Sequence, residues 1–300
     1  MGLFDLPRRR VFPHMGLRHG SLFAGVGMID YGLGLAGFEH AWQVEIDPFC
    51  RGVLANHWPG VDRYEDVRDC GVGGNYPHQL APVDLVSGGF PCHDISVGGV
   101  GPRRRAGAID GIGTPEEPSS RSGLWYQFAR IVGELRPRYV LIENVDRLFH
   151  TQDISRVVSD MEAASYACWP LVLGAGVFGA PHERKRAWIL CQRHDPDGDQ
   201  HPALGGEVGP GELSPVARRA LEETRQHWDD WKRELVSGDA DAGRAPGQSQ
   251  AAAYGKGRRD LHGDAEWVDA VRCGGNSVVW VIPLMLGTYV RELERARAGG

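Results

Sequence analysis

The stretch HGSLFAGVGMIDYGLGLAGFEHAWQVEIDP, residues 19–48, sets out the architecture of the whole chain. A short apolar run, HGSLF (19–23), enters a glycine-rich turn. Apolar residues at helical spacing follow over Met28–Ala36, and a second apolar run, HAWQVEI (40–46), leads to Asp47 and Pro48. An Asp before a Pro is an N-cap followed by a first-turn proline, so a helix is expected over Pro48–Asn56. Strand and helix alternating in this rhythm are the signature of a parallel sheet wrapped by helices.

The rhythm continues beyond it. Strands are expected at VDLVSG (83–88), RYVLIEN (138–144), CWPLVLG (168–174) and RAWILC (186–191), with helices over Leu124–Leu135 and Ile154–Ala164. The expected fold class is therefore α/β, a doubly wound and mostly parallel sheet, with the main domain over residues 1–193. From 194 to 268 the composition shifts to Gly, Pro and Asp, around one expected helix at Pro215–Leu235. That segment reads as a small irregular subdomain. Residues 269–300 turn apolar again and are expected to return to the main core as a closing helix.

With 42% hydrophobic and 24% charged residues in 300, the chain has the composition of an ordinary globular protein with a sizeable core. No apolar run approaches the roughly 20 residues that span a bilayer, so no membrane partner is expected. The opening MGLFDLPRRRVFPHM lacks the apolar centre of a signal peptide. Six scattered cysteines without a CxxC pair speak against a zinc cluster or disulfide framework and suit a reducing cytoplasm. DPDGDQ (195–200) lacks the glycine and terminal glutamate of a calcium loop, so no metal is expected. The net charge of −6 is uneven: residues 195–270 hold 16 acidic and 9 basic residues, which leaves the remainder near neutral. That remainder carries Arg8–Arg10, Arg103–Arg105 and the Arg184-Lys185-Arg186 cluster, so overall acidity does not exclude a local basic cleft.

The chemistry sits at the strand ends. Phe23-Ala24-Gly25-Val26-Gly27 is a glycine-rich strand-to-helix turn, neither the GxGxxG fingerprint nor a phosphate loop. Glu45 closes the second strand, where an acid accepts hydrogen bonds from ribose hydroxyls. Asp66 falls in the exit loop of a third strand and suits an adenine amino group. Each acid could equally be a cap or a surface charge. The ordered trio fits an adenosine-bearing cofactor without a pyrophosphate.

Five motifs in order give the chain a resemblance to the C5-cytosine-specific DNA methyltransferases, and specifically to compact prokaryotic or phage members. SLFAGVG (21–27) resembles the family's first motif, GGFPCHDIS (88–96) its Pro-Cys motif, and ENV (143–145) its Glu-Asn-Val motif. HERKR (182–186) resembles the arginine motif that follows, and GNSVV (275–279) the last one. The resemblance implies a Rossmann-like, S-adenosyl-L-methionine-dependent DNA (cytosine-5-)-methyltransferase. It implies Cys92 as nucleophile toward carbon 6 of cytosine, Glu143 as a buried, protonated donor to nitrogen 3, and Asn144 as the residue orienting the Cys92 loop. Arg186 would reach the base carbonyl and Arg184 support the thiol or a phosphate, the two alternating on a strand and so expected on opposite sides. No residue is an evident base for the carbon-5 proton, which leaves water.

The implied cofactor set is Phe23, Ala24, Gly25, Val26, Gly27, Glu45, Ile46, Asp66, Val67, Asp84, Gly89, Pro91, Asn276 and Ser277. The implied DNA contacts are His93, Ser96, Arg103, Arg104, Arg105 and Arg121, on a glycine-rich loop able to move as a base swings out of the duplex. His93 and His182 stand where the family carries glutamine. The family's ninth motif is missing, and target reading would fall to Arg218, Arg219, Arg225, Lys232, Arg233, Lys256, Arg258 and Arg259. Double-stranded DNA is the expected partner of a monomer, alongside a cognate restriction endonuclease. Two other readings stand beside this: a catalytically silent DNA- or cofactor-binding relative, and an RNA cytosine-5 methyltransferase.

Overall fold

The computed structural model describes residues 12, 16–91, 123–150, 153–178, 184–194 and 280–298, with 215, 218–220, 222–224 and 226 from the intervening segment. Strand β1 (Arg18–Leu22) leads through the glycine turn to helix α1 (Met28–Leu35), then to β2 (Glu39–Val44) and α2 (Pro48–His57). The Asp47 carboxylate accepts from the Phe49 and Cys50 N–H groups at 2.9 and 3.2 Å, so the sequence-encoded cap is formed. Three short strands follow: β3 (Asp62–Tyr64), β4 (Cys70–Gly71) and β5 (His78–Gln79). Next come β6 (Leu85–Gly88), α3 (Leu124–Leu135), β7 (Tyr139–Val145), α4 (Asp153–Ala163), β8 (Tyr166–Gly174) and β9 (Lys185–Arg193). The closing helix is α5 (Val281–Ala298).

Seven strands form one sheet in the order β3-β2-β1-β6-β7-β9-β8. The pairs β1–β2, β2–β3, β1–β6 and β6–β7 are parallel, while β9 runs antiparallel to both β7 and β8. The chain winds outward from β1 on one side and from β6 on the other. Such sheets open a crevice at the carboxyl ends of the two strands where the winding reverses. Pro170 lies in β8, the edge strand, where a missing donor costs no ladder hydrogen bond on the open side.

Period-two alternation sends side chains to two cores. One face of β7 and β9, with Tyr139, Leu141, Trp188 and Leu190, packs under α1 and α5. The other, with Val140, Ile142, Ile189 and Cys191, packs against Trp125, Phe128, Ile131 and Val132 of α3 and Val157 and Met161 of α4. Helices α1 and α5 approach closely: a Cβ on Gly32 would lie 2.4 Å from the Trp280 carbonyl oxygen. The closing helix is also tied to β7, where the Tyr139 hydroxyl donates to Glu294 at 2.8 Å and Arg138 pairs with the same carboxylate.

A polar layer lies buried beneath α1. The register slips between His19 and Gly20, so His19 faces His40 while Gly20 faces Trp42. The slip is a bulge at Ala41 that turns His40 and Gln43 toward the same side. His19 Nδ1 meets His40 Nδ1 at 2.8 Å and its Nε2 meets Ser87 Oγ at 2.8 Å. Asp30 accepts from Ser21 at 3.0 Å and from Gln43 at 2.9 Å. The ligand atoms of His19, Asp30 and His40 fall within 4.8 Å of one another, and these hydrogen bonds engage them with each other and the neighbouring side chains. Burial, with His40 adding to it, holds the His19 imidazole well below its usual pKa and therefore neutral.

Candidate active site

The glycine turn leaves β1 through an uncommon backbone. Phe23, Gly25 and Gly27 have φ of 52°, 57° and 82°, all left-handed, and Gly27 caps α1 in that conformation. A non-glycine residue there carries strain, and strain of this kind gathers at ligand clamps. A Cβ on Gly25 would meet nothing within 4 Å, so the turn opens onto free space. A Cβ on Gly27 would instead strike Trp58 at 2.4 Å and Leu54 at 2.8 Å, so glycine is needed for the turn to pack on α2. Val26 is buried in the α1 core.

Glu45 lies at the carboxyl end of β2 and fastens the turn. Its Oε2 accepts from the Gly25 N–H at 2.6 Å and its Oε1 from the Asp47 N–H at 2.8 Å. Burial raises its pKa, partly offset by these two donors. Ile46 beside it is 61% exposed, a large apolar side chain open at the crevice. Arg51, one turn into α2, donates to the Glu45 and Ile46 carbonyls at 2.9 and 2.8 Å. Sequence reasoning missed Arg51, although its place one turn after the Asp47 cap was a readable signal.

Asp66 and Val67 start a short 3-10 turn. Asp66 caps it through the Arg68 N–H at 2.9 Å and pairs with the Arg68 guanidinium, which holds its carboxyl below the usual range. Val67 is buried in the core. Asp84 is a correction. It stands just before β6, where its carboxylate accepts from the Arg18 N–H at 2.8 Å at the start of β1. That is the amino edge of the sheet, and β6 carries the chain roughly 13 Å onward before the carboxyl edge is reached. The structure does not bring Asp84 to the site.

Glu143 ends the apolar run of β7 and is largely enclosed at the crevice, its side chain 12% exposed. Its Oε1 meets Arg186 Nε at 3.1 Å. Burial pushes its pKa up to about 7, against the pull of Arg186 and then Arg184. The two arginines correct the sequence expectation. Residues two apart on a strand face the same side, and the register sets Val145 opposite Arg186 and Glu143 opposite Trp188. Arg186 therefore shares the Glu143 face, one step diagonal. Arg184, at the entry to β9, adds its charge to the same carboxyl. Its Nε and Nη2 are buried without a hydrogen-bond partner among the described residues, and burial lowers its pKa to about 10.

The chain leaving β6 passes directly over this group. A Cβ on Gly89 would lie 2.6 Å from Glu143 Oε2, so any larger residue there would displace the carboxyl. Phe90 then buries against Trp125, with ring centroids 5.2 Å apart. Asn144 Nδ2 donates to the Phe90 carbonyl at 3.2 Å and its Oδ1 accepts from the Val145 N–H at 2.8 Å. Asn144 thus anchors the backbone two residues before Cys92, and Pro91 is the last described residue of this segment. The Phe90 carbonyl as anchor point carries no side-chain signal in sequence. Cys92, His93, Ser96, Arg103, Arg104, Arg105, Arg121, His182, Asn276 and Ser277 lie outside the described residues, as does most of 194–268.

A family model described as C-5 cytosine-specific DNA methylase matches residues 17–236. The chain is 32% identical over 178 residues to the type II methyltransferase M2.BsuMI of Bacillus subtilis, covering 57% of this chain and 41% of that one. It is 29% identical over 184 residues to M.HhaI of Haemophilus parahaemolyticus, covering 60% and 50%. The chain thus matches about half the length of these curated relatives. Among solved structures, a Spodoptera frugiperda DNMT2 variant superimposes with a TM-score of 0.53 at 13% identity, covering 93% of this chain and all of that one. The S. pombe Dnmt2 methyltransferase gives 0.52 at 14% identity, covering 92% and 98%. At such identity these two speak for the fold alone.

Proposed function

The chain belongs to the C-5 cytosine-specific DNA methylase family, and from that premise we propose that it methylates carbon 5 of cytosine in double-stranded DNA, using S-adenosyl-L-methionine. The observation that carries the reading is Glu143: a buried carboxyl with a pKa near 7, held by Arg186 under the backbone that leads to Cys92.

The chemistry explains the need for such a group. Carbon 5 of cytosine is a poor nucleophile until a thiolate adds at carbon 6 and turns the ring into an enamine. We assign that thiolate to Cys92, with the target base swung out of the duplex. Charge gathers at nitrogen 3 as the thiolate adds, and a protonated Glu143 donates there. A pKa near 7 keeps part of the carboxyl protonated at neutral pH, where a proton donor is most effective. Arg186 fixes the carboxyl's orientation, and Asn144 fixes the Phe90 carbonyl and with it the approach of Cys92. Arg184, half-buried with two buried donors unpaired among the described residues, is available to a substrate oxygen. Loss of the carbon-5 proton to water and departure of the Cys92 thiolate then restore the aromatic ring.

The cofactor supplies an electrophilic methyl group when bound. The open space over Gly25, the Glu45 carboxylate and the exposed Ile46 fit an adenosine moiety, with Asp66 and Val67 on the adenine side. In this reading residues 194–268 read the target sequence, and the loop after Cys92 holds phosphates through Arg103–Arg105 and Arg121.

The test is methyl transfer from labelled S-adenosyl-L-methionine to duplex DNA or to tRNA, with bisulfite sequencing of the product. Methylcytosine in DNA is expected. Transfer to tRNA alone would make the enzyme an RNA methyltransferase, and binding without transfer would make it a silent relative. DNA carrying 5-fluorocytosine at the target is expected to trap a covalent adduct that Cys92→Ser abolishes.

A further inference from the structure

Outside the crevice, two cysteines meet across the antiparallel pair β8–β9. Cys168 stands directly opposite Cys191, and their sulfur atoms are 2.6 Å apart. That is about 0.6 Å longer than a disulfide bond and well inside the separation of two unbonded sulfurs. Directly opposed residues on antiparallel strands bring their Cβ atoms to about 4.5–5.5 Å, close to what a disulfide requires. Cys191 is buried against α4 and β7, and Cys168 is half-buried on the edge strand.

We propose that Cys168 and Cys191 are an oxidisable pair that closes into a cross-strand disulfide when the protein meets a peroxide. Cys168 reacts first because it is the more exposed, and burial and its neighbour hold the Cys191 thiol protonated. The Cys168 thiolate attacks a peroxide oxygen, giving a sulfenic acid and releasing water from hydrogen peroxide. The Cys191 thiol then condenses with it, forming the S–S bond and releasing a second water. Two thiols lose two electrons and two protons in all, and the peroxide takes up both. A dithiol reductant reverses the reaction.

The ring so closed contains the whole connection from β8 to β9, with Arg184 at the entry to β9 and Arg186 within it. Oxidation therefore tethers the strand that orients Glu143 to the edge of the sheet. Nothing in the spacing of the six cysteines points to this pair, because 23 residues of chain separate two positions that only the β8–β9 register unites.

The experiment uses the full chain with one equivalent of hydrogen peroxide, alkylation of remaining thiols, and non-reducing peptide mapping by mass spectrometry. The expected result is a linked pair of peptides bearing Cys168 and Cys191. It disappears with dithiothreitol and accompanies a Tm rise of roughly 5–10 °C. Cys168→Ala, at the half-buried position, is expected to remove both the linked species and the Tm rise. Recovery of the two cysteines separately alkylated, overoxidation of Cys168 alone, or linkage of either to another cysteine would each overturn the proposal.

Discussion

Glu143 binds its functions together through one proton. Its pKa stands near 7 in the folded protein, against an ordinary value of 4.5. If the protonated form is the donor to cytosine, kcat falls as pH rises through about 7, and a pH profile of methyl transfer reads this directly. Stability carries the same sign. A carboxyl whose folded pKa is raised favours the folded state fully below about 4.5 and loses that contribution as pH climbs through about 7. Glu143→Gln keeps a neutral side chain of the same shape. It is expected to lower kcat by about 10²–10⁴-fold while raising Tm at pH 8 relative to pH 5, compared with the parent. Gly89→Ala probes the same carboxyl from above. Its Cβ would meet Glu143 Oε2 at 2.6 Å, and a displacement near 1 Å is expected to cost up to about 100-fold in kcat. Circular dichroism should find little change in the fold.

At the scale of elements, two short-range effects are open to measurement. Asp47→Ala removes the acceptor for two orphan N–H groups at the start of α2 and is expected to cost about 1 kcal/mol in denaturant unfolding. Gly32→Ala sets two effects against each other. Alanine favours a helix interior by roughly 0.5–1 kcal/mol over glycine. Here, however, its Cβ would lie 2.4 Å from a backbone carbonyl of the α5 entry, which cannot swing aside as a side-chain tip can. Overpacking of this kind costs about 1–3 kcal/mol, so a net fall in Tm is expected by calorimetry.

The elements themselves were largely written in local patterns. The Asp47-Pro48 cap, α3 over Leu124–Leu135 and the long strands β7 and β9 follow from periodicity and capping chemistry. The short strands β3, β4 and β5 escape such reasoning because two or three residues carry no period. The site was legible where a motif fixed a residue at a strand end, as with Glu45, Glu143 and Asn144. It was not legible where partnership depends on register. The place of Arg186 one step diagonal to Glu143, the anchoring of Phe90 and the distance of Asp84 from the crevice all follow from strand alignment.

Across the whole molecule, the polar layer under α1 makes acid a threat to the core. His19 is neutral in the folded state and takes up a proton readily once unfolded, at a pKa near 6.5. Stability is therefore complete above about pH 6.5 and falls as pH drops below it, because the unfolded chain then binds the additional proton. Thermal melts between pH 5 and 8 should reveal this acid limb, and His19→Asn should flatten it. Among the described residues no helix is long and apolar enough to cross a membrane. The apolar surfaces of α1 and α5 pack on the sheet and on each other.

That mutual packing has a consequence in time. Helix α1 is made early and its covering partner α5 some 250 residues later. At a synthesis rate of roughly 5–20 residues per second, α1 waits about 12–50 s for α5. Throughout that interval Leu33 has no lid, joined by Trp188 and Leu190 once β9 is made, and the nascent chain exposes the surface that invites misassembly. The crevice meanwhile shares β1, β6 and β7 with this unfinished core. Folding of the cofactor side is thus gated by the synthesis of α5, and a ribosome stalled before α5 should hold a chain that a protease readily cuts.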